Sequence, residues 1–136
     1  YAGLTGFENV CLAADLCGRP RWQVAELLGW AGLEQVAHRP VRTYSLGMRR
    51  RLALARVRLQ EPRVLLLDEP FVGLDEEGTR LVAELVTGVK KRGGAVVLAT
   101  HDLDRARALC DAVAELESGR LLSSGPAGLA GAVSRG

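Results

Sequence analysis

Two adjacent carboxylates, Asp68 and Glu69, close the aliphatic run Val64-Leu65-Leu66-Leu67, and His101 closes a second run, Ala95-Val96-Val97-Leu98-Ala99, within Thr100-His101-Asp102. Paired acids at one strand end suit work on a nucleoside triphosphate with Mg2+. One carboxylate can hold the metal or its waters, and the other can orient and deprotonate an attacking water. Consecutive residues at a strand end point to different sides, so each acid can take one of these tasks. Asp68-Glu69-Pro70 taken alone also fits a plain turn after a buried strand. The other elements decide between the two.

Those elements must first place the acids. The run from Val64, bounded by Pro62 and Pro70, is too short for a buried helix and reads as a central strand covered on both faces. Gly73-Leu74-Asp75 turns the chain into a helix from Glu76 to Lys91, with Leu81, Leu85 and Val89 inward and Arg92-Gly93-Gly94 as its stop. Strand, helix and strand in this order predict a right-handed crossover and a parallel pair, which puts His101 on the sheet edge that carries Asp68 and Glu69. A short helix is expected over Leu103 to Leu109. Two strands follow, Ala112 to Leu116 and Arg120 to Ser124, joined at Glu117-Ser118-Gly119, then Gly125-Pro126 and a final helix from Ala127 to Val133.

Upstream, Thr5 is placed to cap a helix running to Cys17, with Phe7, Val10, Cys11 and Ala14 at helical spacing, and Arg21 to Ala31 forms a second helix with Val24, Leu27 and Leu28 on one face. Trp22 and Trp30 read as packing residues, and His38 as a solvated loop histidine between Gln35 and Arg42. At Tyr44-Ser45-Leu46-Gly47-Met48 the character changes. Ser45 caps a helix to Leu59, and Gly47 near its start would let an anion approach the unpartnered N–H groups; an ordinary serine cap is the alternative. This helix carries Arg49, Arg50, Arg51, Arg56 and Arg58 interleaved with leucine and alanine but no aromatic residue, a solvated face with one or two structural arginines and no nucleic-acid stripe.

Composition agrees with one domain's worth of α/β chain: 136 residues, 48% apolar and 25% charged, with no apolar run long enough to span a bilayer. The formal charge of +2 points to no partner. Cys11, Cys17 and Cys110 form no CxxC pair and read as reduced structural thiols of a cytosolic compartment. The opening Tyr-Ala-Gly-Leu-Thr has no targeting pattern and reads as a segment of a longer protein.

Tyr44-Ser45-Leu46-Gly47-Met48-Arg49-Arg50-Arg51, Leu65-Leu66-Leu67-Asp68-Glu69-Pro70, Gly73-Leu74-Asp75 and Thr100-His101-Asp102 together resemble the signature, Walker B, D-loop and switch-histidine motifs of ATP-binding cassette (ABC) ATPases, in the family's order. The resemblance covers nearly the whole chain. It implies an α/β P-loop NTPase core without its N-terminal part: parallel strands with flanking helices from residue 44 to 136, and a helical subdomain at 1–43. By position, Asp68 resembles the Mg2+-associated acid, Glu69 the catalytic glutamate that positions water, and His101 the switch histidine at the γ-phosphate of ATP. Asp75 matches the D-loop acid, and Ser45 and Gly47 match signature residues that contact ATP held by the opposite subunit. Arg51 and Arg56 match arginines of the family's signature helix. The implied setting is a pair of cassettes docked on a transmembrane permease at the cytoplasmic face of the cell membrane, where ATP binding closes the pair and hydrolysis reopens it.

Departures from the family pattern narrow this reading. Leu46 and Met48 replace the commonest signature's glycine and glutamine, a variant that resembles ABC-2 type exporters and the haem-exporter ATPases of cytochrome c maturation. The short tail after Gly119 favours the latter branch. Arg58 stands where an apolar residue is usual. No GxxxxGK[ST] loop occurs, so the main phosphate cradle is expected upstream of Tyr1, and the chain by itself is expected to hydrolyse little ATP. A cytosolic ABC protein of translation or DNA repair, and an inactive interaction fragment, are the competing readings.

Overall fold

The computed structural model describes residues 1–127. The elements are α1 (Gly6–Leu16), α2 (Gln23–Trp30), two 3-10 turns (Glu34–Val36 and Val41–Thr43), α3 (Leu46–Gln60), β1 (Val64–Asp68), α4 (Glu76–Lys91), β2 (Ala95–Ala99), α5 (Leu103–Leu109), β3 (Ala112–Glu117) and β4 (Arg120–Pro126). The expected order is reproduced from α1 to β4. The helix expected from Ala127 to Val133 lies, beyond Ala127, outside the described residues. β4 runs on through Gly125 and Pro126, which were expected to close the hairpin.

Local chemistry sets the helix starts. The Thr5 hydroxyl accepts the Glu8 N–H at 3.2 Å, and the Glu8 carboxylate accepts the Thr5 N–H at 2.7 Å, a reciprocal cap that satisfies two donors at the start of α1. α4 opens with Glu76 and Glu77 and closes with Lys90 and Lys91, charges that oppose the helix dipole at each end. In the β3–β4 turn both Ser118 (φ +48°) and Gly119 (φ +77°) are left-handed, the geometry that lets a tight turn follow the twist of its strands.

Two apolar cores result. Val10 and Ala14 of α1, Val24 and Leu28 of α2, Leu33, and Leu52, Ala55 and Leu59 of α3 form the first. Leu81, Val82, Leu85, Val86 and Val89 of α4, Leu65 of β1, Phe71, and Leu54 of α3 form the second. α3 thus serves both, with Leu54 turned away from Leu52 and Ala55. Trp30 packs against both cores, and its indole N–H donates to Glu84 of α4 at 2.6 Å. The Arg58 guanidinium lies 4.5 Å from the Trp30 ring centroid and 3.9 Å from Glu84. That gives the unusual Arg58 a role: a cation stacked on the aromatic bridge between the two cores. Trp22, by contrast, is 71% exposed. It occupies the N-cap position of α2, ahead of the first inward residue Val24, so the expectation that it packs is corrected.

β1 and β2 pair in parallel, with Val64 opposite Ala95 and Asp68 opposite Ala99. One face of the pair, Leu65, Leu67, Val96 and Leu98, lies against the α4 core. The other carries Leu66 at 71% and Val97 at 61% exposure. The strand is therefore covered on one face only among the described residues, because α3 and α4 both pack from the same side.

The register of this pair depends on a close approach at its start. Ala95 donates its N–H to the Arg63 carbonyl at 2.8 Å, and a Cβ on the preceding Gly94 would sit 2.7 Å from that same carbonyl and 2.7 Å from a Val89 methyl. Gly94→Ala is expected to destabilise the fold by about 1–3 kcal/mol through forced displacement of β2 against β1, read as a lower denaturant midpoint with an unchanged m-value. A midpoint equal to that of the parent would contradict this placement of Gly94.

Candidate active site

β1 ends by turning its last carboxylate onto the neighbouring strand's end. Glu69 takes a left-handed backbone (φ +43°), unusual for a residue with a side chain, while its N–H donates to the Ala99 carbonyl at 2.8 Å. Such conformations cost on the order of 1–3 kcal/mol and gather at functional sites, where the surroundings enforce them. Here the enforcing groups belong to the segment after β2. Glu69 Oε1 accepts the His101 backbone N–H at 3.2 Å and lies 3.0 Å from His101 Nδ1, and Oε2 accepts the Thr100 hydroxyl at 3.2 Å. The Thr100 oxygen in turn accepts the Asp102 N–H at 3.2 Å. Thr100 was not singled out from sequence as a site residue. Its only signal is a hydroxyl immediately before the histidine at a strand end, too common to carry weight alone.

The remaining candidates fall into a second group. Ser45 accepts the Met48 N–H at 3.2 Å and caps α3. A Cβ on Gly47 would stand 3.5 Å from the Gly73 carbonyl, so the start of α3 lies beside the turn that follows Phe71. Gly73 itself is left-handed (φ +70°), which glycine adopts without steric cost. Asp75 accepts the Gly78 N–H at 2.8 Å and caps α4. The structure thus joins Glu69, Thr100 and His101 in direct contact and sets Gly47, two residues after the capping Ser45, against Gly73, two residues before Asp75. Asp68 is exposed at the end of β1.

No group of three or more His, Cys, Asp or Glu side chains able to hold a metal ion occurs among the described residues. A single carboxylate fits Mg2+ only in its usual protein mode, with one or two acids completed by phosphate oxygens and water. Asp68 meets that requirement for a phosphate-borne Mg2+. An open cleft of about 1010 Å³ along β2 and β3 includes Glu69, Thr100 and His101 in its lining but not Asp68.

Charge and hydrogen bonding reinforce each other across the Glu69–His101 pair. The hydrogen bond from His101 holds the Glu69 carboxyl below its ordinary value, and the same bond pushes the His101 imidazole up. With the histidine raised, its share of the pairing is fully present below the ordinary imidazole value and lost as pH climbs through the raised one. With the glutamate lowered, its share is present above the ordinary carboxyl value and lost as pH falls through the lowered one. An NMR titration of His101 is expected to give a midpoint above the ordinary imidazole value, returning toward it in Glu69→Gln. An unchanged midpoint in that variant would show that the contact carries no charge pairing.

Comparisons with known proteins identify the family. The family model described as ABC transporter matches residues 2–72. The chain is 39% identical over 123 residues to a fluoroquinolones export ATP-binding protein of Mycobacterium tuberculosis, covering 90% of this chain and 41% of that protein. It is 39% identical over 130 residues to the daunorubicin/doxorubicin resistance ATP-binding protein DrrA of Streptomyces peucetius (93% and 39% covered), and 37% identical over 129 residues to the methionine import ATP-binding protein MetN of Caulobacter vibrioides (91% and 39%). It spans about two fifths of the length of these relatives. A solved structure of the ATP binding subunit of an ABC transporter superposes with a TM-score of 0.79 at 30% identity, over 93% of this chain and 54% of that one. A parallel strand pair that delivers Glu69 and His101 to one edge, a capped α3 beside the Gly73 turn and these relatives lead to one conclusion: the chain belongs to the ABC transporter family of ATP-binding subunits, with an α/β P-loop NTPase fold.

Proposed function

We propose that this chain forms the later part of the ATPase core of an ABC exporter's nucleotide-binding subunit. The observation that carries the reading is the contact of Glu69 with Thr100 and His101 across adjacent parallel strands. In this reading Glu69 orients and deprotonates the attacking water, His101 meets the γ-phosphate, and Asp68 holds Mg2+ through the phosphates of ATP. His101 occupies Glu69 when nothing else engages it, so phosphate binding would draw the imidazole away and free the carboxylate for water.

Gly47 lies beside Gly73, and Ser45 caps the same helix start, neither in contact with that cluster. This placement supports their use on a nucleotide held by a second cassette, with Asp75 at the junction between the two. The outer edge of β2 and the cleft beside it could receive a further strand with its phosphate-binding loop, which is how the main nucleotide cradle would join these residues. None of the described helices is long and apolar enough to cross a membrane. In this reading the partner is a transmembrane permease at the cytoplasmic face, which the export and import ATP-binding relatives support. The relatives named above concern transport, which favours that role over translation or repair. Export of haem for cytochrome c maturation rests on Leu46 and Met48 alone, whereas the drug-export relatives favour an organic compound as cargo.

In the complete protein, Glu69→Gln is expected to lower the rate of ATP hydrolysis by roughly 10²–10⁴-fold, the range of a lost general base, while nucleotide binding persists and ATP accumulates in a stable dimer. Hydrolysis within twofold of the parent would remove Glu69 from the chemistry.

A further inference from the structure

The loops that flank the Glu69 cluster share a cation, Arg105, that the reaction does not use. Arg105, on the first turns of α5, places its guanidinium 5.3 Å from the ring centroid of Phe71, and its Nε 3.3 Å from the Asp102 carboxylate. Phe71 and Asp102 belong to different loops. Phe71 follows Glu69-Pro70, is buried against the α4 core, and forms the centre of two consecutive turns, with Val72 N–H to the Glu69 carbonyl at 3.3 Å and Leu74 N–H to the Phe71 carbonyl at 3.2 Å. Asp102 directly follows His101 and caps α5 by accepting the Arg105 N–H at 3.1 Å. One side chain therefore touches the residue two places after the glutamate and the residue one place after the histidine.

This matters because the direct link between the loops is the one that chemistry must break. Once Glu69 turns to water and His101 to phosphate, their mutual hydrogen bond is lost. The contact of Arg105 with Phe71 uses neither reacting group and can persist. An aromatic face under a guanidinium tolerates sliding better than a directed hydrogen bond, so the contact can hold the two loops in register while the side chains between them exchange partners.

We propose that Arg105 is a positioning residue, a cationic brace that holds the loop after His101 against the loop after Glu69 during turnover. The proposal rests on the reading of Glu69 and His101 as hydrolytic residues. It concerns where they are held, not what they touch.

The test uses the complete protein. A stacked cation at a partly exposed site contributes about 0.5–1 kcal/mol, which corresponds to roughly two- to fivefold in rate. Arg105→Gln is expected to lower kcat by that factor with KM for ATP unchanged and the thermal midpoint lowered by no more than about 2–4 °C, and Arg105→Lys, which keeps the cation, is expected to restore at least half of the loss in kcat. Hydrogen exchange on the nucleotide-free protein gives a second readout: in Arg105→Gln the amides of residues 69–75 and of residues 101–105 should both exchange faster, with α1 and α2 unaffected. An unchanged kcat, a fall in kcat that tracks KM or comes with a thermal midpoint lowered by more than about 4 °C, or a lysine variant no better than glutamine would each overturn the proposal. If the parent protein hydrolyses no ATP, the hydrolytic reading fails and exchange alone decides the brace. Faster exchange in both loops upholds it, and faster exchange in one loop or neither overturns it.

Discussion

The parallel ladder between β1 and β2 is the constraint on which the rest of the molecule depends. Its register sets Asp68 opposite Ala99 and continues one step further, where the Glu69 N–H meets the Ala99 carbonyl. That last bond lies beyond the strand proper and is made by a residue with left-handed backbone. Shifting the register by one residue would turn Leu65 and Leu67 out of the α4 core and carry Glu69 away from His101. Core packing and site assembly are thus the same geometric fact, and a change that loosens α4 against the strands should be felt first where Glu69, Thr100 and His101 meet.

A second dependence runs through α3 and Trp30. α3 contributes Leu52, Ala55 and Leu59 to one core and Leu54 to the other, while its first residues lie beside Gly73. Its start is held by Ser45 and by Arg49, which donates to the Tyr44 carbonyl at 3.0 Å. Further along, Arg58 stacks on Trp30, and Glu84 accepts from that indole while also pairing with Arg80. Within the basic stretch that could have suggested a nucleic-acid surface, Arg49 and Arg58 are thus tied to holding the helix in place.

Much of this was legible in the sequence, and the parts that were not have physical reasons. The bounds of α4, β2 and α5 follow from punctuation: Asp75 and Asp102 as caps, glycine after a basic last turn, and a short apolar run between Gly94 and Thr100. The placing of Glu69 and His101 on one edge follows from the parallel pairing that a strand–helix–strand crossover produces, which needs no side-chain detail. Coverage of β1 was misjudged because a continuous apolar run shows what a strand could bury, while the described elements pack on only one of its faces. Trp22 was misjudged because tryptophan suggests burial irrespective of helix phase. The stacking of Arg58 on Trp30 and of Arg105 on Phe71 joins residues distant in sequence through side-chain reach, which periodicity does not encode. Thr100 escaped notice because one hydroxyl carries no pattern.

If Glu69 and His101 act as one assembled unit rather than as two independent contributors, the loss of either already forfeits what the pair provides. A double-mutant cycle on kcat in the complete protein, with Glu69→Gln, His101→Ala and both together, tests this most directly. The account predicts that the double variant is no slower than the slower single variant, within about twofold. Losses that multiply, giving a double variant as slow as the product of the two single effects, would contradict the assembly of these residues into one site.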